Sequence, residues 1–169
     1  MPDERTAMRR TDRAIDDDSQ IRALLERGKF FTLASSADGQ PYAHVSLYWF
    51  DAKTNRIYFH TADAGRTRTN IELNPRVSMA VAEIGRLLPA DTALEFSVEY
   101  ASVIAFGRAR VVEQETEALY GLQGLLDKYF PELRSGKDYR PITDEELRRT
   151  SVYALEIEEM SGKRKVAGE

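Results

Sequence analysis

The chain has 169 residues, of which 42% are apolar, and a formal net charge of −4. That length suits one domain with a real core. The charge balance gives no electrostatic reason to expect nucleic acid or an anionic membrane as a partner. There is no cysteine, which excludes disulfides and thiolate metal sites.

The N-terminal sequence, MPDERTAMRRTDRAIDDD, lacks the apolar segment of a secretory signal. No apolar run in the chain approaches the roughly 20 residues needed to cross a bilayer. We therefore expect a cytoplasmic protein. Residues 1–18 are nearly all charged or small, which predicts a flexible N-terminal arm. The domain is expected to cover residues 19–165, followed by a short tail at 166–169.

The first predicted element is a short amphipathic helix at DDDSQIRALLERG, where Ile21, Leu24 and Leu25 fall on one face and Gly28 ends the helix. After this helix the sequence pattern changes from the helical period to one typical of strands. Three strands rich in β-branched and aromatic residues, separated by the turn sequences ADGQP and DAKTN, are predicted at residues 29–35, 42–50 and 56–61.

One or two helical turns at RTRTNIELNP precede a fourth strand at 76–84 and a long fifth strand at 96–112. Gly107 in the fifth strand indicates a bulge or a sharp bend. The strongest helical pattern covers residues 116–130, and its apolar face comprises Leu119, Leu122, Leu125, Leu126 and Tyr129.

Thr143 and Glu146 form a capping-box pattern that opens a short helix, and SVYALEIEEM is the sixth strand. The strands are joined mostly by short turns and do not alternate with helices. This order argues against a doubly wound parallel sheet. It favours a mainly β fold, an antiparallel barrel with peripheral helices, because closure removes exposed strand edges.

Common catalytic and nucleotide-binding motifs are missing from the sequence, including the phosphate loop, GxGxxG, HExxH and GxSxG. The informative stretch is HTADAGRTRTN. A strand ends there, a turn contains Gly65, and a helix begins with Arg66 and Thr67. Helix N–H groups, arginines and hydroxyls are what a phosphate needs. An ordinary helix start with surface arginines fits these residues equally well.

His44 and His60 lie on strands joined by one turn, and antiparallel pairing would bring them nearly opposite each other. Each could be a structural residue or a ligand. Tyr48, Trp49 and Phe50 are better interpreted as core or interface than as rings that sandwich a ligand. We expect Trp49 and Phe50 to need a second subunit to cover them.

Three segments at this spacing resemble the FMN-binding split-barrel family that includes pyridoxamine-phosphate oxidase. They are GQPYAHVSLYW, RIYFHTADAGRTRTNIELNPRVSMAV and EYASVIAFGRARVV, and the resemblance covers roughly residues 20–165. The sequence is more similar to the nitroimidazole-resistance-type branch, on the residues YFHTA, EYASVIAFGRA, KYFPEL and SGKRK.

The resemblance implies a six-stranded antiparallel split β-barrel and a homodimer that binds FMN between its subunits. His44–Leu47 would run along the flavin ring, Phe59–Thr61 would lie at the ring and ribityl chain, and Arg66 would bind the phosphate. The implied cofactor-binding residues are His44, Val45, Ser46, Leu47, Phe59, His60, Thr61, Gly65, Arg66, Thr67 and Ser102.

The chain also departs from the oxidase. His44 stands at the position of a phosphate-contacting arginine, Thr67 and Trp49 each replace a lysine, and Ser102 replaces a flavin-contacting glutamine. The C-terminal SGKRKVAGE lacks the oxidase's substrate-binding ending. Pyridoxamine phosphate is therefore not the expected substrate.

We expect an FMN-dependent oxidoreductase acting on an unidentified small molecule, with His60 as the only candidate for a catalytic side chain. One alternative is a flavin-binding protein without turnover that serves storage, sensing or haem handling. Another is a deazaflavin-dependent reductase, whose cofactor would need a basic groove. The sequence offers residues for such a groove at Arg66, Arg68 and Lys163–Lys165.

Overall fold

The computed structural model describes residues 4–168, so residues 1–3 of the predicted arm and residue 169 of the tail lie outside the described part. The strands are β1 (Ala14–Ile15), β2 (Phe31–Ala37), β3 (Gln40–Ser46), β4 (Trp49–Asp51), β5 (Arg56–Ala62), β6 (Arg76–Leu88), β7 (Ser97–Val111) and β8 (Thr150–Lys165). The α-helices are α1 (Asp18–Arg27), α2 (Arg66–Leu73), α3 (Glu115–Tyr129) and α4 (Asp144–Arg148).

The strands form one eight-stranded antiparallel sheet in the order β3-β2-β6-β7-β8-β5-β4, with β1 paired to β8. The two end strands, β3 and β4, do not pair with each other. The barrel is therefore open along this seam, as in a split barrel. The predicted mainly β, antiparallel fold is confirmed. Eight strands are found where six were predicted, because β1 was not foreseen and the segment 42–50 divides into β3 and β4.

The division at Leu47 and Tyr48 has a structural cause. The Tyr48 side chain is fully buried, and its hydroxyl donates to the carbonyl oxygen of Leu25 at 2.6 Å. The Tyr129 hydroxyl accepts the backbone N–H of Tyr48 at 3.2 Å and donates to the carbonyl of Lys29 at 2.6 Å. These bonds turn the chain inward, so β3 pairs with β2 while β4 pairs with β5.

Helix α1 begins as predicted, with the side chain of Asp17 accepting the backbone N–H of Ser19 at 2.8 Å. Its predicted apolar face is buried in the main core, which is built on the inner side of the sheet. The capping box at α4 is also present, since Thr143 and Glu146 bond each other's backbone. No helix within residues 4–168 is long and apolar enough to cross a membrane.

The segment before α1 lies along the sheet. Residues Thr11–Arg13 form a 3₁₀ turn, β1 pairs with the C-terminal end of β8, and Arg13 Nη1 lies 3.4 Å from the hydroxyl of Tyr100. The flexibility expected of this arm stays a prediction.

Helix α3 packs through glycines rather than through its whole leucine face. A Cβ atom on Gly124 would lie 2.1 Å from Cε3 of Trp49, and one on Gly121 would lie 2.7 Å from Cδ1 of Tyr58. Trp49 also stacks on Tyr58 at a centroid distance of 5.6 Å. Helix α3 therefore covers Trp49, and Phe50 is buried in the core. The expectation that a second subunit covers these two rings was wrong.

The predicted irregularity at Gly107 is a bulge between β7 and β8. Phe106 pairs with Glu159 and Gly107 with Ile157, which leaves Glu158 as an extra residue on β8. A Cβ atom on residue 107 would lie only 2.0 Å from the carbonyl oxygen of Glu156, so the close approach of the two backbones requires glycine.

Candidate functional site

Helix α2 begins beside the seam without a side-chain cap. Gly65, the residue before the helix, has φ of 146°, a conformation that favours glycine. Because glycine has no side chain, the first backbone N–H groups of α2 receive no side-chain hydrogen bond at this position. Such a helix start carries partial positive charge and attracts anions.

Two arginines in the first turn of α2 have different environments. Arg66 is exposed, lies over the ring of Tyr42 at 5.1 Å, and forms no ion pair with any residue from 4 to 168. Arg68 instead donates to Glu72 at 2.8 Å and to Ser151 and the carbonyl of Asp63, both at 3.0 Å. Arg66 is available to an external anion, whereas Arg68 is held by the fold.

Thr67 connects the start of α2 to the edge strand β3. Its side chain is buried, and Oγ1 lies 3.1 Å from Nδ1 of His44. His44 pairs across the strands with the buried residue Leu33, so its side chain lies on the inner side of the sheet. Burial lowers the pKa of the His44 imidazole, which is therefore neutral at pH 7.

The predicted flavin strand presents two different faces. His44 and Ser46 face inward, whereas Val45 and Leu47 face outward and are 61% and 47% exposed. β3 pairs only with β2, so its other edge has unpaired backbone N–H and C=O groups. Contacts with a ligand in the seam would come from this backbone edge and from the inward side chains.

Strand β5 supplies the other side of the seam. Beyond Tyr58 it pairs only with β8, which leaves one backbone edge free at Phe59–Ala62. The side chain of Phe59 is fully buried and stacks on Tyr153 at 4.7 Å, so only its backbone reaches the seam. The hydroxyl of Thr61 lies 3.0 Å from that of Tyr153. His60 alternates with these residues and is exposed.

The predicted pairing of His44 with His60 is wrong. β3 pairs with β2, and β5 pairs with β8 and β4, so the strands of the two histidines are separated by four others in the sheet order. The turn that joins their segments in the sequence instead connects β4 and β5.

Ser102 lies apart from the other predicted site residues. It is on β7, opposite Ala82 and Lys163, and its side chain is on the outer face of the sheet. Strands β6 and β2 separate it from β3. Within one chain the structure does not bring Ser102 to Arg66 or to His44.

His60 opens onto a hollow of about 550 Å³ between α3 and the segment that leads to α4. The leucines at 122, 125 and 126 of α3 also line it, together with Tyr139 and Ile142. Burial by these groups lowers the pKa of His60, although part of its surface meets solvent. Sequence reasoning missed Tyr139 and Ile142, because the segment SGKDYRPI carries no motif.

The chain matches the family model for pyridoxamine 5'-phosphate oxidase over residues 17–164. No curated protein matches it in sequence. Its fold is similar to that of the flavocytochrome Anf3 from Azotobacter vinelandii, with a TM-score of 0.83 and 24% identity over 98% of this chain and 76% of the other.

Two further solved structures share the fold. The FAD and heme binding protein from Mycobacterium smegmatis has a TM-score of 0.79 and 22% identity, over 90% of this chain and 73% of the other. A putative 5-nitroimidazole antibiotic resistance protein from Bacteroides thetaiotaomicron has a TM-score of 0.74 and 18% identity, over 89% of this chain and 86% of the other.

Proposed function

The chain belongs to the pyridoxamine 5'-phosphate oxidase family, and we propose on that basis that it is a flavoprotein that binds FMN in the seam. The observation that carries the proposal is Arg66, which forms no ion pair within residues 4–168, beside the uncapped start of α2. An arginine and free helix N–H groups together form a strong site for a phosphate. The names of two structurally similar proteins, a flavocytochrome and an FAD and heme binding protein, support a flavin as the ligand.

In this proposal Arg66 and the first N–H groups of α2 hold the FMN phosphate. Gly65 allows the ligand to approach the backbone closely, and the Thr67 hydroxyl fixes His44 beneath the site. The free backbone edge of β3 and the residue after it, at 45–47, and that of β5 at 59–61 offer hydrogen-bonding groups to the ring and ribityl chain. A neutral His44 in place of an arginine leaves Arg66 as the main cation for the phosphate.

The proposed activity is that of an oxidoreductase. A bound flavin supplies electron or hydride transfer, and the protein supplies its position and electrostatic environment. His60 is the side chain we assign to steering a substrate or a proton, because its imidazole is neutral at pH 7 and faces the hollow.

An anaerobic stopped-flow experiment tests this activity. The FMN-loaded protein is mixed with NADH, NADPH and other cellular donors, and flavin bleaching is followed near 450 nm, roughly the band of an oxidised flavin. We expect one donor to bleach the flavin and an added acceptor to restore it. If dithionite reduces the flavin but the whole donor panel fails, a flavin-binding protein for storage or sensing replaces the enzyme.

We also propose that two copies associate through the outer face of the sheet. Val45, Thr32, Ala80 and Ile104 are consecutive cross-strand neighbours on this face. They form one row across four strands that is apolar except for the hydroxyl of Thr32. Ser102 lies beside this row, opposite Ala82. A second copy covering the face would bring its own Ser102 towards the flavin site of the first.

Haem handling is the second candidate, because His60 offers a neutral imidazole at the mouth of a mainly apolar hollow. A neutral imidazole is the form that coordinates iron. Titration with hemin should then produce an imidazole-type Soret shift that is lost in His60→Ala and kept in His44→Ala. Tighter binding of a deazaflavin than of FMN would instead change the assigned cofactor.

A further inference from the structure

The hollow beside His60 is shaped by two elements that are far apart in the sequence. Leu122, Leu125 and Leu126 of α3 form its apolar base. Tyr139 and Ile142 lie across from them on the segment before α4. The Tyr139 hydroxyl accepts a hydrogen bond from Gln123 Nε2 at 3.0 Å, which fixes this segment to α3. The site is thus preformed in the chain.

The rim of the hollow carries charges that already neutralise each other. Arg140 donates to both carboxylate oxygens of Glu146 at 2.9 Å. The same carboxylate accepts the backbone N–H of Thr143 at 3.0 Å. The Arg140 guanidinium and these hydrogen bonds lower the pKa of Glu146 to about 2. The pair is therefore charged on both sides at pH 7 and leaves no net charge for a ligand to compensate.

Three further polar side chains line the hollow. The hydroxyl of Tyr139 is bonded to Gln123, and that of Thr150 donates to the carbonyl of Glu146 at 2.8 Å. The third is the imidazole of His60. It forms no hydrogen bond with a side chain or backbone group in the described part of the chain, and it lies on the strand that borders the seam. A neutral imidazole offers one N–H donor and one acceptor nitrogen. The hollow therefore combines an apolar base, a neutral rim and one polar side chain, His60, that has no hydrogen bond within residues 4–168.

We propose that this hollow binds a neutral, flat, mostly apolar ring bearing carbonyl oxygens, with quinones as the redox-active members of that class. His60 would donate its N–H to a carbonyl oxygen, and the leucines would contact the ring. The use of the site rests on the proposed flavin function. The quinone takes a hydride and a proton from the reduced flavin to become a hydroquinone, and the flavin returns to its oxidised form with two electrons transferred.

The first experiment measures binding to the protein as purified, by equilibrium dialysis. The probes are menadione, which is neutral, and 1,4-naphthoquinone-2-sulfonate, which is an anion of similar shape. We expect menadione to bind more tightly. Ile142→Asn should weaken menadione binding roughly tenfold, because it places a polar group against the ring. Leu133→Asn is the matched control, since Leu133 is an apolar residue of the same segment outside the hollow.

The second experiment measures electron transfer. Dithionite-reduced, FMN-loaded protein is mixed with menadione, and the oxidised flavin band is followed as it returns. We expect a rate that saturates with menadione and a loss of saturation in Ile142→Asn but not in Leu133→Asn. His60→Phe keeps an apolar ring but removes the hydrogen bond and should weaken binding about three- to tenfold.

Equal effects of the two asparagine variants, or anion binding as tight as menadione binding, would overturn the proposal. A protein that does not bind FMN would contradict the proposed flavin function but not this proposal, because the dialysis experiment measures menadione binding in the absence of flavin.

Discussion

Thr67 Oγ1 lies 3.1 Å from His44 Nδ1 and so joins the start of helix α2 to the edge strand β3. Both groups are polar, and they meet on the inner side of the sheet. The helix start with Arg66 and the free edge of β3 are therefore fixed relative to each other before any ligand arrives.

The lowered pKa values of His44 and His60 predict that the protein loses stability in mild acid. Burial lowers the pKa of both His44 and His60 below the unfolded value of about 6.5. The unfolded chain therefore binds more protons as the pH falls through 6.5, and the free energy of unfolding decreases from there down to the folded pKa values.

Urea unfolding at pH 7.5 and 5.5 measures this loss. The double variant His44→Gln, His60→Gln should lose less stability than the natural chain between these two pH values. If the natural chain and the double variant lose equal free energy of unfolding between these pH values, the histidines do not cause the loss.

Arg66→Ala should reduce FMN affinity about ten- to hundredfold, because a charge-assisted contact with phosphate contributes about 1.5–3 kcal/mol. Riboflavin, which has no phosphate, should lose far less affinity. Titration of both ligands gives the comparison.

Arg68→Ala is the matched control for charge on the same helix. Arg68 is bonded to Glu72, Ser151 and the Asp63 backbone. Its loss should therefore lower the free energy of unfolding but leave the ratio of FMN affinity to riboflavin affinity nearly unchanged. An equal loss of FMN and riboflavin in Arg66→Ala would place Arg66 in the fold rather than at the phosphate.

Gly124→Ala should destabilise the protein by about 1–3 kcal/mol, the usual range for overpacking. In an open helix the same change would stabilise by roughly 1 kcal/mol, so the sign is diagnostic. The reason is the Trp49 ring, which occupies the space that the new Cβ atom needs.

Guanidinium unfolding of Gly124→Ala with and without Trp49→Leu forms a double-mutant cycle. The loss of unfolding free energy caused by Gly124→Ala should be smaller when Trp49 is replaced by leucine, because the smaller side chain leaves room for the new Cβ atom. If Gly124→Ala destabilises the protein equally in both backgrounds, the destabilisation does not come from the contact with Trp49.

Ile104→Glu should separate the proposed dimer, because it places a charge in the middle of the outer apolar row, where Ile104 is 41% exposed. Sedimentation at micromolar concentration should give twice the chain mass of 19.2 kDa for the natural protein and that mass for the variant. Leu73→Glu, at an exposed position on α2, should leave the mass unchanged. A monomeric natural protein with flavin bound would contradict the dimer.

Periodicity and caps in the sequence were enough to predict α1, α3, the capping box of α4 and most strands. They were not enough to divide residues 42–50. No glycine, proline or asparagine marks the break. Its cause is that Tyr48 donates hydrogen bonds to the Leu25 carbonyl and to the Tyr129 hydroxyl, two residues that are distant in the sequence. The contact face of α3 was also only partly predicted. Glycines do not add to an apolar pattern in the sequence, but in the structure Gly121 and Gly124 contact the rings of Tyr58 and Trp49.

The candidate site was predictable where its residues are consecutive and unpredictable where they are not. Gly65, Arg66 and Thr67 form one short motif, and their placement at a helix start followed from it. The partner of Thr67 and the lining of the hollow depend on strand order. The sequence suggested that β3 would pair with the strand after it, whereas four strands separate β3 from β5 in the order of the sheet.

The extra residue Glu158 has a consequence for how β8 can change. Before the bulge the odd-numbered residues Tyr153 and Leu155 face the main core, and after it the even-numbered Met160 and Gly162 do so. Deleting Glu158 alone would rotate the last seven residues of the strand, 159–165, by half a turn, unless the pairing with β7 also slipped. The C-terminal part of the strand would then expose Met160 and turn Lys163 and Lys165 towards the core. The alternation of its two faces therefore constrains the number of residues in β8 as well as their types.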